Sequence, residues 1–377
     1  MNLHMDHKPI RTELDHLMLN LQVLEAMDDW VRVIDADGRI LFQNQSMKDA
    51  LKSQDLEKCS FDCNILYGES ECPKSVSFMT FLSKKTFNKE ILFRNKEFSV
   101  KSSPILDEEG NVLAAVEVFR DISIETHVRR ELFNANRRMT DDIKFARRIQ
   151  TQLLPDKGRF GNLHIDYYYE PSEQLSGDLF DIIYVEDNKV GIYICDVVGH
   201  GVTASMMTMF IKQTMRAILE QHGASSPSKI LYELRSRFGE MRLAENLYFT
   251  IFYGLYDTKT HEFQYSNAGH ICQPILLRDQ QHEVLESSGV PICDLFKELP
   301  YGEKSVFLKP GDRLVFYTDG ITETKNFDRV EFGRDNFVNA LLTNLDQPIE
   351  NVIYEVGRYR WGEVKDDMAI MIATIIN

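Results

Sequence analysis

Four segments in the C-terminal half of the sequence place aspartate at the end of an apolar, strand-forming run or at the turn beside it. They are "SGDLFD" (Asp178, Asp181), "ICDVVGHG" (Asp196), "VFYTDGITE" (Asp319) and "VKDDMAIMI" (Asp366, Asp367). Carboxylates gathered in a core repel one another and are costly to desolvate. If the fold brings these together, a cation belongs between them, and an oxygen-only donor set without Cys or His points to hard divalent ions, Mg²⁺ or Mn²⁺. Gly177, Gly199, Gly201 and Gly320 let the backbone turn tightly around such ions. Taken singly, each aspartate reads better as a turn or helix-cap residue. It is the four segments together, in this order, that favour an ion-holding site. His200 lies close behind Asp196; it either protonates a leaving oxygen or packs a turn. Cys195 reads as a small apolar core residue rather than a nucleophile.

Such acids need strands and helices to position them. From about Lys157 short strands alternate with two helices, Val202 to Gln221 and Ser226 to Arg242. Strands follow near Tyr248 to Tyr256, Glu262 to Ser266, Pro274 to Leu277, Lys304 to Leu308 and Arg313 to Tyr317. Helices near Arg334 to Asn344 and Ile349 to Arg358 precede a last strand, Met368 to Ile376. Strands in runs and helices in pairs predict an α+β domain with two sheets face to face and helices outside. Upstream, Ile124 to Leu154 has neither Gly nor Pro, and Val128, Leu132, Ala135, Met139, Ile143, Ala146, Ile149 and Leu153 recur every three or four residues. This is one long amphipathic helix stopped by Pro155. Its stripe, close to a heptad seam, fits a dimerising lever between two domains better than a solvated spacer. Further upstream, Leu14 to Met27 is helix-like. Val31, Val33, Ile40 and Phe42 fit two strands about the Asp37-Gly38 turn, and "KEFSVKSSPILDEEGNVLAAVEVFRDIS" fits two more.

The chain has 377 residues and a formal net charge of −15, which argues against a nucleic-acid partner. No run reaches the ~18 apolar residues of a membrane helix, and the N-terminus, with Asp, Glu and His among its apolar positions, does not read as a signal peptide. The expectation is a cytoplasmic protein away from membranes, with its six cysteines mostly reduced.

Two resemblances sharpen this reading. Residues 24 to 123, a strand pair, small helices and an antiparallel pair closed by Asp121-Ile122-Ser123, resemble a PAS sensor domain. "RRIQTQLLP", "SGDLFD", "DVVGHG", "NAGH", "PGDRLVFYTDGITE" and "DDMAIMIA" resemble a PPM-type metal-dependent protein phosphatase of the bacterial branch typified by stage II sporulation protein E and the sigma-regulatory phosphatases. The resemblance implies an N-terminal helix (1–23), a PAS domain (24–123), a linker helix (124–156) and an αββα phosphatase domain (157–377). It further implies that Asp196 bridges two Mn²⁺ or Mg²⁺ ions, with the carbonyl of Val197 as a backbone ligand. Asp178 then serves one ion and Asp319 and Asp366 the other, with Asp367 as the alternative of its pair. The substrate it implies is a phosphorylated protein, an anti-sigma factor antagonist in a partner-switching pathway, and the assembly a homodimer through the linker helix. "NAGH", from Asn267 to His270, is expected to shape a loop beside the site. The arginine with which many eukaryotic relatives hold the substrate phosphate has no counterpart except, by position alone, Arg159. The rival readings are a catalytically silent module that docks phosphoproteins, and a light or haem sensor with phosphatase output.

Within the PAS-like region, Cys59, Cys63 and Cys72 are spaced closely enough to hold zinc or an iron–sulfur cluster or to form a redox disulfide, although three thiols are one short of the usual four ligands. The alternative is three packing thiols.

Overall fold

A computed structural model of the chain describes residues 21–51, 76–93, 95–242, 247–293, 295 and 299–377. Cys59, Cys63 and Cys72, and most of the expected N-terminal helix, lie outside the described residues. The chain divides into two compact units, residues 1–137 and 138–377.

In the first unit β1 (Trp30–Asp35) and β2 (Ile40–Gln43) are followed by helices α1 (Gln45–Leu51) and α2 (Val76–Ser83), then β3 (Phe87–Phe93), β4 (Lys96–Leu106) and β5 (Val112–Asp121). The five strands form one antiparallel sheet in the order β2-β1-β5-β4-β3. Met47, Leu51, Val76, Phe98, Val100 and Phe119 pack between sheet and helices. Asn44, wholly buried, ties the entry together: its Oδ1 accepts from the amides of Val31 and Met47, and its Nδ2 donates to the carbonyls of Leu24, Met27 and Asp29. Helix α3 (Ser123–Gln152) starts where Asp121 Oδ1 accepts from the amide and hydroxyl of Ser123, a side-chain cap on the first turn. It runs on as a single 30-residue helix.

The second unit continues with β6 (Gly158–Phe160), β7 (Leu163–Glu170), β8 (Asp178–Glu186), β9 (Lys189–Val197), α4 (Gly201–His222), α5 (Pro227–Glu240), β10 (Phe249–Asp257), β11 (Glu262–Ala268), β12 (Ile275–Arg278), β13 (Gln281–Val284), β14 (Lys304–Phe307) and β15 (Arg313–Tyr317). It ends with α6 (Asp319–Thr322), α7 (Gly333–Thr343), α8 (Pro348–Tyr359) and β16 (Met368–Ile375). Two sheets form, β14-β11-β10-β9-β8 and β13-β12-β15-β16-β7-β6. Side chains alternate across each strand, and the alternation builds the layers. On β9, Val190, Ile192 and Ile194 enter the core between the sheets with Leu314 and Phe316 of β15 and Ala369 and Met371 of β16. Tyr193, Cys195 and Val197 point the other way, into a second core with Met207, Ile211 and Met215 of α4 and Ile230 and Leu234 of α5. Val315, Tyr317, Ile370 and Ile372 face a third core under α7 and α8. The result is helix, sheet, sheet, helix. Pro227 and Pro348 stand in the first turns of α5 and α8, where a missing N–H costs nothing.

Candidate active site

The antiparallel pairing collects the strand-end acids at one edge of the sandwich. Asp178 opens β8 and Asp196 nearly closes β9, and the two are directly paired across the strands. Asp319 follows the end of β15, and Asp366 and Asp367 precede β16, its antiparallel neighbour. β16 faces β8 across the core. Asp178 and Asp196 have the parity of the inner face, alongside Phe180 and Ile194. Two glycines permit the close approach: a Cβ on Gly177 would stand 2.9 Å from the carbonyl of Val197, and one on Gly320 2.1 Å from that of Asp367.

The same alternation separates the Asp366-Asp367 pair. Asp367 continues the inward parity of Ala369 and is 5% exposed. Its Oδ1 accepts from the amide and hydroxyl of Ser172 at 2.7 and 2.8 Å, and its Oδ2 from the amide of Gly177 at 2.7 Å. It clasps the loop that leads into β8. Asp366, one residue earlier, is exposed at the rim.

Electrostatics mark the cluster. Burial, then Asp196 and Asp367, drives Asp178 well above the usual carboxylate range, and its Oδ2 is buried without a hydrogen-bond partner. Burial, then Asp319, Asp366 and Asp367, pushes Asp196 up to about 7. Burial, then Asp366, raises Asp319 to about 6, and desolvation in the cleft raises Asp366 as well. Among the described residues no three His, Cys, Asp or Glu side chains close to ligating distance. An orphaned buried carboxylate oxygen and an all-oxygen donor set fit a hard divalent cation.

A pH effect follows. Carboxyls whose folded values lie above their ordinary 3.8 hold protons that the unfolded chain releases, so cation-free protein gains stability as pH falls through about 7. His270 opposes this only below pH 6.5, because burial depresses it to about 4. Chelator-treated protein is therefore expected to melt a few degrees higher at pH 6.5 than at pH 8. Mn²⁺, which binds the ionised form, should reverse that order. Calorimetry showing no pH dependence without cation would contradict the clustering.

Around the acids, other residues take fixed places. His200 stands solvent-exposed at the N-cap of α4, with Nδ1 3.0 Å from Glu173 Oε1. His270 is buried; its Nε2 meets the carbonyl of Tyr317 at 3.3 Å and its Nδ1 the hydroxyl of Thr250 at 3.2 Å. A carbonyl only accepts, so Nε2 carries the proton and the ring is a neutral brace between β10 and β15. Asn267 shapes this loop by donating to the carbonyls of His270 and Ser287 and accepting from the amide of His270. Asp181 is turned away from the cleft into a buried ion pair with Lys212 of α4, 2.6 Å, and Arg216. Arg159 lies on β6, beside the opposite end of β7 and β16, with its Nε on the carbonyl of Gly161. It cannot reach a phosphate at the acids, because the length of the sheet intervenes. Gln150, near the end of α3, was not singled out in the sequence. It is 2% exposed, donates to the carbonyl of Ser176 at 2.7 Å and accepts from its amide at 3.1 Å, two residues from Asp178. Only its place in "RRIQTQLLP" hinted at this.

The family model described as stage II sporulation protein E (SpoIIE) matches residues 186–376, half of the chain. Among curated proteins the chain is similar to phosphoserine phosphatase RsbP of Bacillus subtilis, 32% identical over 189 residues covering 48% of this chain and 45% of that protein. It is also similar to phosphoserine phosphatase RsbU of the same organism, 30% identical over 189 residues covering 49% and 54%. The chain spans about half the length of these curated relatives. The solved SiaA-PP2C domain of Pseudomonas aeruginosa superposes with a TM-score of 0.57 at 21% identity, covering 64% of this chain and 98% of that one; the second unit therefore has a PP2C-type fold. Asp196, Asp319 and Asp366 fall inside the matched segment and Asp178 just before it, and the chain belongs to the stage II sporulation protein E family.

Proposed function

We propose that the second unit is a metal-dependent protein serine/threonine phosphatase. The observation that carries this is the convergence of Asp178, Asp196, Asp319 and Asp366 on one cleft, with Asp178 Oδ2 buried and unpartnered. Asp196 would bridge two Mn²⁺ or Mg²⁺ ions, Asp178 serving one and Asp319 and Asp366 the other, with the carbonyl of Val197 as a backbone donor. When bound, such a pair supplies an acidified water and neutralises phosphoryl oxygens. Asp367 positions the Gly177-Asp178 entry and His270 braces the floor. His200, oriented by Glu173, offers its other ring nitrogen as proton donor to the departing serine or threonine oxygen. Manganese-dependent hydrolysis of p-nitrophenyl phosphate tests the reading. No hydrolysis at millimolar Mn²⁺ would leave a silent phosphoprotein-docking module.

The first unit, in this reading, is a PAS sensor (residues 24–123), supported by its antiparallel sheet with α1 and α2 between the second and third strands. α3 is its linker. The substrate is a small phosphorylated anti-sigma factor antagonist in a partner-switching pathway in the cytoplasm; among the described residues no helix is long and apolar enough to cross a membrane. Val128, Leu132 and Met139 lie 57–62% exposed along α3, a stripe that a second copy of the chain would cover in a coiled coil. Leu132→Glu with Met139→Glu is expected to halve the mass seen by light scattering and to change basal turnover. Unchanged mass and turnover would remove the lever.

A further inference from the structure

We propose that the cleft beside Asp366 seats the phosphorylated segment of the substrate protein, and that Arg329, Arg360 and Lys365 select segments with acidic residues around the phosphoserine. This rests on the phosphatase reading and names what that site grips. A cavity of about 730 Å³ opens here, and Gly320 and Asp366 line it, so its floor is the rim of the carboxylate cluster itself. One wall is a tight hairpin: Lys325 bridges to Glu331, and the amide of Val330 donates to Asn326 Oδ1. The other wall is the connector from α8 to β16. The two are tied, since the amide of Trp361 donates to the carbonyl of Lys325 and the Tyr359 hydroxyl to that of Glu331. The cleft is thus preformed.

In a chain of net charge −15, four cations, Lys325, Arg329, Arg360 and Lys365, line it against three carboxylates, Glu323, Glu363 and Asp366. Lys325 is paired with Glu331 at 3.2 Å. Among the described residues Arg329, Arg360 and Lys365 have no carboxylate within 4.0 Å. Arg329 sits at φ 62 on the hairpin tip, a left-handed position where glycine costs about 1 kcal/mol less. Phe327 and Trp361 meet edge to face at 5.0 Å and remain 71% and 66% exposed. An exposed aromatic pair beside unpaired guanidinium groups fits an extended peptide with acidic side chains. It also supplies the cationic grip that Arg159, at the far end of the sheet, cannot.

The test uses the full chain with Mn²⁺ and two synthetic phosphoserine peptides, one flanked by glutamates and one by alanines, with p-nitrophenyl phosphate as a probe too small to span the cleft. The wild type is expected to prefer the glutamate-flanked peptide about tenfold in kcat/KM, two or three screened charge contacts each contributing a few-fold. Arg329→Ala with Arg360→Ala should erase most of that preference through KM, with at least a fivefold smaller loss on p-nitrophenyl phosphate. High salt should do the same to the wild type. The glutamate-flanked peptide should also quench tryptophan fluorescence, and Trp361→Phe should remove the quench. Equal use of the two peptides by wild type, a preference that survives the double substitution, an equal kcat loss on all three substrates, or no Trp361 quench would each overturn the proposal. If wild type hydrolyses none of the three, the phosphatase reading itself fails, and the proposal with it.

Discussion

Asp196→Asn is expected to lower manganese-dependent turnover by about 10²–10³-fold or more, the scale of losing a preorganised charge-stabilising group, while the fold survives. The substitution changes charge and almost no volume. Asp196 is the residue on which the others act: Asp319, Asp366 and Asp367 all push its proton affinity up, and it is paired in register with Asp178. Removing its charge also removes repulsion, so the variant in chelator should melt no lower than wild type at pH 8. Retention of a tenth of wild-type turnover would contradict the assignment of Asp196 as the bridging carboxylate. Asp319→Asn should behave alike.

The second large effect separates two adjacent residues. Asp366→Asn should lose turnover nearly as far as Asp196→Asn with no loss of melting temperature in chelator. Asp367→Asn should do the reverse, losing less turnover and more stability. Asp367 accepts three hydrogen bonds from Ser172 and Gly177. An amide in its place turns an N–H₂ group toward one of those donors and leaves it unsatisfied in a buried site. Charge-assisted bonds lost this way cost about 2–4 kcal/mol, or roughly 5–10 °C in a unit of this size. The opposite pattern would mean that the two residues exchange roles.

The positions of the acids were readable in the sequence because each borders an apolar run, and so were the long helix and the paired helices, whose stripes recur at three and four. The division of labour between Asp366 and Asp367 was not. Both fit the same motif, and only the inward parity of Ala369 and Met371, fixed once β16 pairs with β7 and β15, sends one side chain across the core. β3 and β13 escaped notice for a related reason. Phe87–Phe93 carries the polar run Asn88-Lys89-Glu90 with no apolar alternation, and Gln281–Val284 is polar throughout but for its last residue, so pairing with β4 and β12 rather than an apolar period makes them strands. Asp181 looked like a site residue, but its partners, Lys212 and Arg216, lie one helix away in sequence. Gln150 sits in an amphipathic helix where a glutamine ordinarily meets solvent, and no local pattern announces a bidentate partner 26 residues on. Arg159 was chosen by position alone, and the register of β6 against β7 puts it at the wrong end.

The central claim is that these carboxylates exist to share divalent cations. Equilibrium titration of chelator-stripped protein with Mn²⁺, read by calorimetry at pH 8, tests it most directly. Two Mn²⁺ per chain are expected for the wild type, with proton release on binding that grows as the pH is lowered toward 7, where Asp196 holds its proton, and a stoichiometry below two for Asp196→Asn. Binding that is absent at millimolar Mn²⁺, or identical in the wild type and Asp196→Asn, would contradict it.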